Sequence, residues 1–208
     1  MYRNDNGRMK RAGLLGGTFD PIHLGHIDIA GDAATELELD KVILMPTFVQ
    51  PFKAGRYTAP PEDRLEMCRL ASVCSDMFIV SDMEIRAGGL SYTYDTLCKL
   101  RLDMRDTHIT FIMGSDSLMN IDTWNKGPEL LGICSFAVGL RPDVNRAAVE
   151  EKAEMLRTTY DADIHIIKRS MLPVSSTEIR RRVENGEPIS GLVTPEVEEY
   201  IYERGLYK

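Results

Sequence analysis

The stretch Gly16-Gly17-Thr18-Phe19-Asp20-Pro21-Ile22-His23-Leu24-Gly25-His26 joins a short apolar run to the first turn of an amphipathic helix. Residues 12–15 before it predict a buried strand, and the glycine pair followed by Asp20-Pro21 predicts a tight turn. The apolar positions after it recur at helical spacing, at Leu24, Ile27, Ala30, Ala34 and Leu37. One face of this helix is therefore expected to pack on a sheet, in a strand–turn–helix unit.

The first turn of this helix predicts an anion site. Main-chain N–H groups at a helix N-terminus, the helix dipole and the imidazoles of His23 and His26 suit a nucleotide phosphate better than an uncharged ligand. The alternative is structural, because any tight turn needs glycine and a lone histidine usually belongs to the packing. Zinc is not expected, because no Cys, Asp or Glu cluster beside the two histidines completes a tetrahedral site.

The residue order separates this stretch from other phosphate-binding turns. It lacks the Gly-Lys-Ser/Thr ending of the Walker pattern and the three spaced glycines of the dinucleotide fingerprint. It resembles the His-x-Gly-His signature of the nucleotidyltransferase superfamily, in the extended form of the bacterial nicotinate-mononucleotide adenylyltransferases. The resemblance runs from Gly16 to Tyr207 and includes further motifs of this family. These motifs are Ser91-Tyr92-Thr93, Gly114-x-Asp116, Trp124 and Ser175-Ser176-Thr177-x-Ile179-Arg180.

Composition limits the classes of partner. The chain has 208 residues, 43% of them hydrophobic and 27% charged, as in ordinary globular domains. A net charge of −7 argues against a nucleic-acid surface, and no stretch is long enough for a membrane span. The cysteines are scattered at positions 68, 74, 98 and 134, which fits free thiols and a cytoplasmic location. A homo-oligomer is left open.

Strands and helices alternate along the chain after a flexible leader at residues 1–9. Further strands are expected at Lys41–Met45, Met77–Val80, Thr107–Met113, Cys134–Leu140 and Asp163–Ile167. Helices are expected from Pro61, at Ser91–Leu97, at Arg146–Tyr160, after Ser175 and at Pro195–Ile201, with a loop at Ser81–Gly89. This alternation predicts an α/β fold with a doubly wound parallel sheet and a ligand crevice between the first and fourth strands. The resemblance implies the Rossmann-like nucleotidyltransferase fold in a single domain, residues 10–208, with a small C-terminal helical subregion.

Several side chains near the expected strand ends have two interpretations. Lys53 is either a cation for phosphate or a solvated loop lysine, and Pro51-Phe52-Lys53 departs from the Pro-His-Lys of the family. Asp116 suits a ribose hydroxyl pair or a helix N-cap. Thr93 suits an N-cap that also holds a carboxylate. Trp124, the single tryptophan, is expected to stack on an aromatic ring rather than fill the core.

Two arginines are candidate anion ligands. Arg141 follows a strand and suits a phosphate, a substrate carboxylate or a surface salt bridge. A second helix start carries three hydroxyl groups, at Ser175, Ser176 and Thr177, and helix capping explains them. Capping does not require Arg180, which lies one turn later. The segment Arg64-x-x-Met67 also fits the family, and we expect only packing from it.

The resemblance implies transfer of the adenylyl group of ATP to nicotinate mononucleotide in NAD synthesis. It implies catalytic roles for His23, His26, Lys53 and Arg180, with Mg²⁺ arriving on ATP and no general base. The implied ATP-binding residues are Gly16, Gly17, Thr18, Phe19, Gly25, His26, Gly114, Asp116, Ser175, Ser176, Thr177, Ile179 and Arg180. The implied nicotinate mononucleotide residues are Thr93, Trp124 and Arg141. The alternatives are a phosphopantetheine adenylyltransferase, a cytidylyltransferase and a nucleotide sensor without turnover.

Overall fold

The apolar runs of the chain pair as strands of one sheet. Within residues 9–49, 58–142 and 144–208, which the computed structural model describes, six strands are present. They are β1 (Lys10–Gly17), β2 (Lys41–Pro46), β3 (Phe78–Val80), β4 (Thr107–Gly114), β5 (Ser135–Leu140) and β6 (Ile164–Ser170). All neighbours pair in parallel, in the order β3-β2-β1-β4-β5-β6.

Helices connect the parallel strands, as parallel pairing requires. They are α1 (Leu24–Glu36), α2 (Pro61–Ser72), α3 (Met83–Ala87), α4 (Thr93–Asp103), α5 (Ser115–Leu118), α6 (Gly127–Leu131), α7 (Arg146–Tyr160), α8 (Ser176–Glu184) and α9 (Pro195–Glu203), with a 3-10 turn at Ile121–Thr123. Helices α8 and α9 follow the last strand and form the expected C-terminal helical subregion.

Both faces of the sheet are covered. Leu15 belongs to a core cluster that includes Ala30 of α1, Met67 of α2 and Ile201 of α9. Its neighbour Leu14 points to the opposite face and belongs to a second cluster with residues of α4 and α7. Because consecutive side chains of a strand alternate between faces, an apolar run such as β1 requires helices on both sides. The doubly wound arrangement is confirmed.

The direction of winding reverses at β1. This strand pairs with β2 on one side and with β4 on the other. The connections on its two sides therefore diverge, and they leave a crevice at the carboxyl ends of β1 and β4. The crevice lies where the sequence predicts it.

The local structure corrects two expectations. The expected loop at Ser81–Gly89 contains α3, a short helix whose C-cap residue, Gly88, has φ +67°. Thr93 is the first residue of α4 and not its cap, because Tyr92 takes the extended N-cap conformation.

Two expectations lie outside the described residues, namely the leader up to residue 8 and the Pro51-Phe52-Lys53 loop. Among the residues that are described, no helix combines the length and the apolar character that a membrane crossing needs.

Candidate active site

The sequence that joins β1 to α1 forms one side of the crevice. Phe19 has φ +49°, a left-handed conformation that costs a non-glycine residue about 1–3 kcal/mol. Its ring is 2% exposed and meets the ring of His26 edge-on, with 5.0 Å between centroids. The Asp20–Pro21 peptide bond that follows is cis. The burial of Phe19 therefore holds an unusual backbone conformation beside His26.

His23 and His26 form a stacked pair at the start of α1. Their ring centroids are 3.6 Å apart and the planes meet at 23°. The main-chain N–H of His23, the N-cap residue, donates to Nδ1 of His26 at 3.2 Å. Because Nδ1 accepts this hydrogen bond, the neutral His26 ring carries its proton on Nε2. His26 is thereby prepared to donate from Nε2.

His23 is buried beneath its partner. The side chain lines the crevice, yet the residue is only 6% exposed, and Nδ1 has no hydrogen-bond partner in the described part of the chain. Burial, together with the positive charge of Arg141, lowers the pKa of His23 to about 4. His23 is therefore neutral near pH 7 and contributes a dipole rather than a charge.

Gly25 allows the His23 ring to lie this close to the helix. A Cβ atom at position 25 would lie 3.1 Å from Nδ1 of His23, closer than ordinary van der Waals contact. Gly25 does not line the crevice. Its place in the motif is explained by packing against His23.

The first turn of α1 has fewer available N–H groups than the sequence suggests. The N–H of Leu24 donates to the carbonyl of Leu192 at 2.9 Å, and that of His26 donates to the carbonyl of His23 at 2.9 Å. The expectation that this turn offers its amides to an anion is wrong for these two groups. Anion binding at this point therefore depends more on side chains than we expected.

Helix α8 lies beside the motif and lines the crevice with it. Ser175 caps the helix by accepting from the N–H of Glu178 at 3.2 Å, as expected. Ser176 Oγ donates to the carbonyl of Pro21 at 2.9 Å, and Arg180 Nη1 donates to the carbonyl of Asp20 at 2.7 Å. These two bonds fix the start of α8 to the motif. Ile179, in contrast, is a fully buried core residue, so its side chain offers no surface to a nucleotide.

Arg64 of α2 holds the loops behind the motif, a role that we did not expect from the sequence. The side chain is 1% exposed and donates to four main-chain carbonyls. The acceptors are Ala59 (3.1 Å), Thr18 (2.7 Å), Thr47 (2.7 Å) and Phe48 (2.9 Å). Burial lowers the pKa of Arg64, and the charge of Asp20 opposes this shift. One guanidinium therefore links the loops that follow β1 and β2.

The crevice has a volume of about 510 Å³, and two sets of predicted site residues line it. The first set, here called the first side, comes from the β1–α1 motif and the start of α8: Gly16, Gly17, Thr18, Phe19, His23, His26, Ser175, Ser176, Thr177 and Arg180. The second set, here called the second side, comes from α4 and from the segments after β4 and β5: Thr93, Gly114, Asp116, Trp124 and Arg141. Most of the predicted site residues are thus brought together, the exceptions being Gly25, Ile179 and Lys53, which is not described.

The second side combines an aromatic face with an ion pair. Trp124 packs edge-on against Phe111, with 6.4 Å between ring centroids, so it lines the crevice and also contacts the core. Arg141 Nε lies 3.3 Å from Oδ1 of Asp116, and both side chains are about half exposed. The salt-bridge interpretation of Arg141 is therefore realised, and its partner is another predicted site residue. A ligand that binds either group competes with this pair.

Glu84 of α3 also lines the crevice, and it was not predicted as a site residue because this segment is expected to be a loop. Its Oε1 accepts from the hydroxyl of Thr96 at 2.5 Å. Oε2 is buried without a hydrogen-bond partner among the described residues. Burial raises the pKa of Glu84, so its neutral form is favoured more than usual.

The described residues contain no group of three or more His, Cys, Asp or Glu side chains that could hold a metal ion. The charged side chains that line the crevice among these residues are two arginines and three acids, namely Arg141, Arg180, Asp20, Glu84 and Asp116.

Comparison with known proteins gives concordant results. Residues 14–182 match the cytidylyltransferase-like family. A relative named "Probable nicotinate-nucleotide adenylyltransferase" from Moorella thermoacetica is 40% identical over 97% of this chain and 93% of its own length. A relative of the same name from Thermoanaerobacter sp. strain X514 is 38% identical over 97% of this chain and 96% of its own length.

Solved structures share the fold. The nicotinic acid mononucleotide adenylyltransferase of Plasmodium falciparum complexed with NaAD superimposes with a TM-score of 0.78, at 19% identity, over 95% of this chain and 97% of that one. The same enzyme complexed with APC gives a TM-score of 0.76 at 18% identity, with the same coverage of both chains.

Proposed function

The chain belongs to the nicotinate-nucleotide adenylyltransferase family, and from this premise we propose that its crevice joins ATP to nicotinate mononucleotide. The products are nicotinate adenine dinucleotide and pyrophosphate, and the reaction is a step of NAD biosynthesis. The observation that carries this assignment is the two-sided crevice at the ends of β1 and β4. One side offers His26 and Arg180 to a triphosphate, and the other offers Trp124 to a pyridine ring.

The reaction needs no protein nucleophile. A phosphate oxygen of nicotinate mononucleotide attacks the α-phosphorus of ATP and forms a new P–O bond. The bond between the α-phosphorus and the bridging oxygen breaks, and its electron pair leaves with pyrophosphate. A phosphate dianion is a competent nucleophile near neutral pH, so a general base is not required. Orientation of the two substrates and stabilisation of the developing charge supply the catalysis.

His26 and Arg180 are assigned to the transferring phosphates. The bond from the main chain of His23 orients the His26 ring and places its proton on Nε2, from which it donates to an α-phosphate oxygen. Arg180, held by the carbonyl of Asp20, faces the triphosphate from α8. His23 adds a neutral hydrogen-bonding group and not a charge. Lys53, which lies outside the described residues, is assigned to the triphosphate as a further cation.

Mg²⁺ is assigned to the substrate and not to the protein. Mg²⁺ that arrives with ATP would neutralise part of the charge of the phosphates, and because this ion usually keeps several water ligands it would need few ligands from the chain. Gly16, Gly17, Ser176 and Thr177 then surround the phosphates, and Asp116 accepts from the ribose hydroxyls. Because Asp116 is paired with Arg141 before ligands bind, we expect that ion pair to rearrange when the substrates enter.

The carboxylate on the pyridine ring of nicotinate mononucleotide is assigned to the start of α4. Thr93 is in the first turn of this helix, where N–H groups and the helix dipole favour a carboxylate. Glu84 is an acceptor on the same side, and it would repel a carboxylate if it were ionised. The upward shift of its pKa reduces this repulsion. Trp124 supplies the stacking face, and Arg141 attracts the phosphate of the mononucleotide.

We place the reaction in the cytoplasm, because all four cysteines are free thiols, as in a reducing compartment. The partners are the two small-molecule substrates. Neither a nucleic acid nor a membrane is needed for this reaction.

The test is pyrophosphate release from ATP with a panel of acceptors. Nicotinate mononucleotide should give rapid release, and phosphopantetheine should give none. CTP with a phosphorylated alcohol, the cytidylyltransferase reaction, should also give none. Binding of ATP without release in the presence of any acceptor would support a nucleotide sensor and refute the proposal.

A further inference from the structure

Tyr207, which follows α9, contacts the motif from outside the crevice. Its hydroxyl donates to Oδ1 of Asp20 at 2.8 Å, across 187 positions of the sequence. The ring packs against the core cluster on the α1 side of the sheet and does not line the crevice. Burial, and next the charge of Asp20, raise the pKa of Tyr207, so the group remains a protonated donor. The tyrosine hydroxyl therefore reaches the site through its bond to Asp20.

Asp20 connects three parts of the molecule. The residue is 4% exposed, and its Oδ1 accepts from Tyr207 and from the main-chain N–H of Ala59 at 3.0 Å. Its carbonyl accepts from Nη1 of Arg180 at 2.7 Å, whereas its Oδ2 lies 3.7 Å from the same Nη1. The carboxylate is therefore hydrogen-bonded to Tyr207 and Ala59, while its Oδ2 lies too far from Nη1 of Arg180 for a hydrogen bond.

This geometry points to Tyr207 as a positioning residue for ATP binding, and we propose that its hydroxyl keeps the Asp20 carboxylate from forming a close ion pair with Arg180. The inference rests on the proposed function, in which Arg180 binds the triphosphate. Without the tyrosine hydroxyl, the buried carboxylate lacks one of its two donors on Oδ1. Arg64 already gives four of its five N–H groups to main-chain carbonyls, so at most one remains for Asp20. Arg180, whose Nη1 lies 3.7 Å from Oδ2, is the cation that can shift into a direct hydrogen bond with Asp20.

The test is the substitution Tyr207→Phe, which removes only the hydroxyl. We expect the KM for ATP to rise about three- to tenfold and the KM for nicotinate mononucleotide to change less than twofold. Tyr202→Phe is the matched control, because Tyr202 lies on α9 and is 41% exposed. It should leave both constants unchanged. Kinetics are measured well below the melting temperature of each variant.

A second substitution separates positioning from packing. In an Asp20→Asn background the neutral amide cannot form an ion pair with Arg180, so adding Tyr207→Phe should raise the KM for ATP less than twofold. The inference is overturned by an unchanged KM for ATP in Tyr207→Phe, by equal increases for both substrates, or by a full effect that persists in the Asn background. A Tyr207→Phe protein that does not fold would also overturn it, because the hydroxyl would then be structural. Absence of pyrophosphate release by the unsubstituted protein would instead refute the proposed function.

Discussion

The imidazole of His23 lies beneath that of His26 in a stacked pair, with ring centroids 3.6 Å apart, and its own main-chain N–H donates to Nδ1 of His26. The two histidines of the motif therefore have different tasks. The buried ring of His23 supports the stack, while the hydrogen bond fixes the orientation of His26 and the position of its proton.

Removal of the His26 ring should abolish most of the turnover. Because His26 is expected to stabilise charge on the transferring phosphate, His26→Ala should lower kcat by at least about a hundredfold without unfolding the protein. Pyrophosphate release and a thermal melt measure the two effects. His165→Ala, at a half-exposed histidine of β6 outside the crevice, serves as the control and should retain full activity. A folded His26→Ala protein with unchanged turnover would show that His26 is structural.

Burial of His23 should make stability depend on pH. Its pKa is about 4 in the folded protein and 6.5 ordinarily, so the unfolded chain binds more protons between these values. The part of the free energy of unfolding that depends on neutral His23 is fully present above pH 6.5. It is lost as the pH falls towards 4, because the unfolded chain takes up the proton first. By pH 5 the free energy of unfolding should decrease by about 2 kcal/mol on this account.

Urea titrations at pH 7 and pH 5 measure this effect. Because other groups also titrate, the relevant quantity is the difference between the unsubstituted protein and His23→Asn. The substituted protein should lose about 2 kcal/mol less over this interval. Equal losses in the two proteins would mean that His23 is not held neutral by burial.

Most of the fold could be predicted because its signals are local. The apolar runs from β1 to β6, the glycine turn and the 15-residue α7 all follow from periodicity and turn chemistry, and the bounds of α7 agree with the expected ones. α3 was not predicted, because a five-residue helix carries little periodicity and this one is fixed by a distant contact, from Glu84 to Thr96.

The residues of the site could be predicted from the sequence, but the hydrogen bonds that connect them could not. His26, Arg180 and Trp124, which the motifs predict as site residues, all line the same crevice. The acceptors of Arg64 and the bond from Tyr207 to Asp20 depend on loops that meet only in the folded chain. The pairing of the Leu24 N–H with Leu192 likewise depends on a distant segment, so the number of available amides at α1 could not be derived from the motif.

Arg180 should affect the two substrates unequally. If it holds the triphosphate, Arg180→Ala should raise the KM for ATP about tenfold or more and the KM for nicotinate mononucleotide much less. Arg181→Ala is the control on the same helix, because Arg181 binds Glu178 and Glu187 at the surface and does not line the crevice. Equal increases in both constants would indicate a general defect instead of a contact with ATP.

Arg64 should be required for stability. Arg64→Met leaves four main-chain carbonyls without their donor, which should lower the free energy of unfolding by at least about 3 kcal/mol. Arg64→Lys should recover little, since an ammonium group has three donors and lacks the planar fork. Arg69→Met, at an exposed position of α2, should cost less than about 1 kcal/mol. Urea unfolding that shows similar stability for the substitutions at positions 64 and 69 would contradict the role given to Arg64.

Side-by-side kinetics with nicotinate and nicotinamide mononucleotide measure whether the protein transfers the adenylyl group to the acid form of the mononucleotide. Charge-assisted bonds to the carboxylate contribute roughly 1.5–3 kcal/mol, or about one to two decades of preference. With MgATP and each acceptor, we predict dinucleotide and pyrophosphate in equal amounts and a kcat/KM at least about tenfold higher for nicotinate mononucleotide. Equal efficiencies would contradict the acid-specific assignment, and absence of the dinucleotide with both acceptors would show that the protein is not an adenylyltransferase for pyridine mononucleotides.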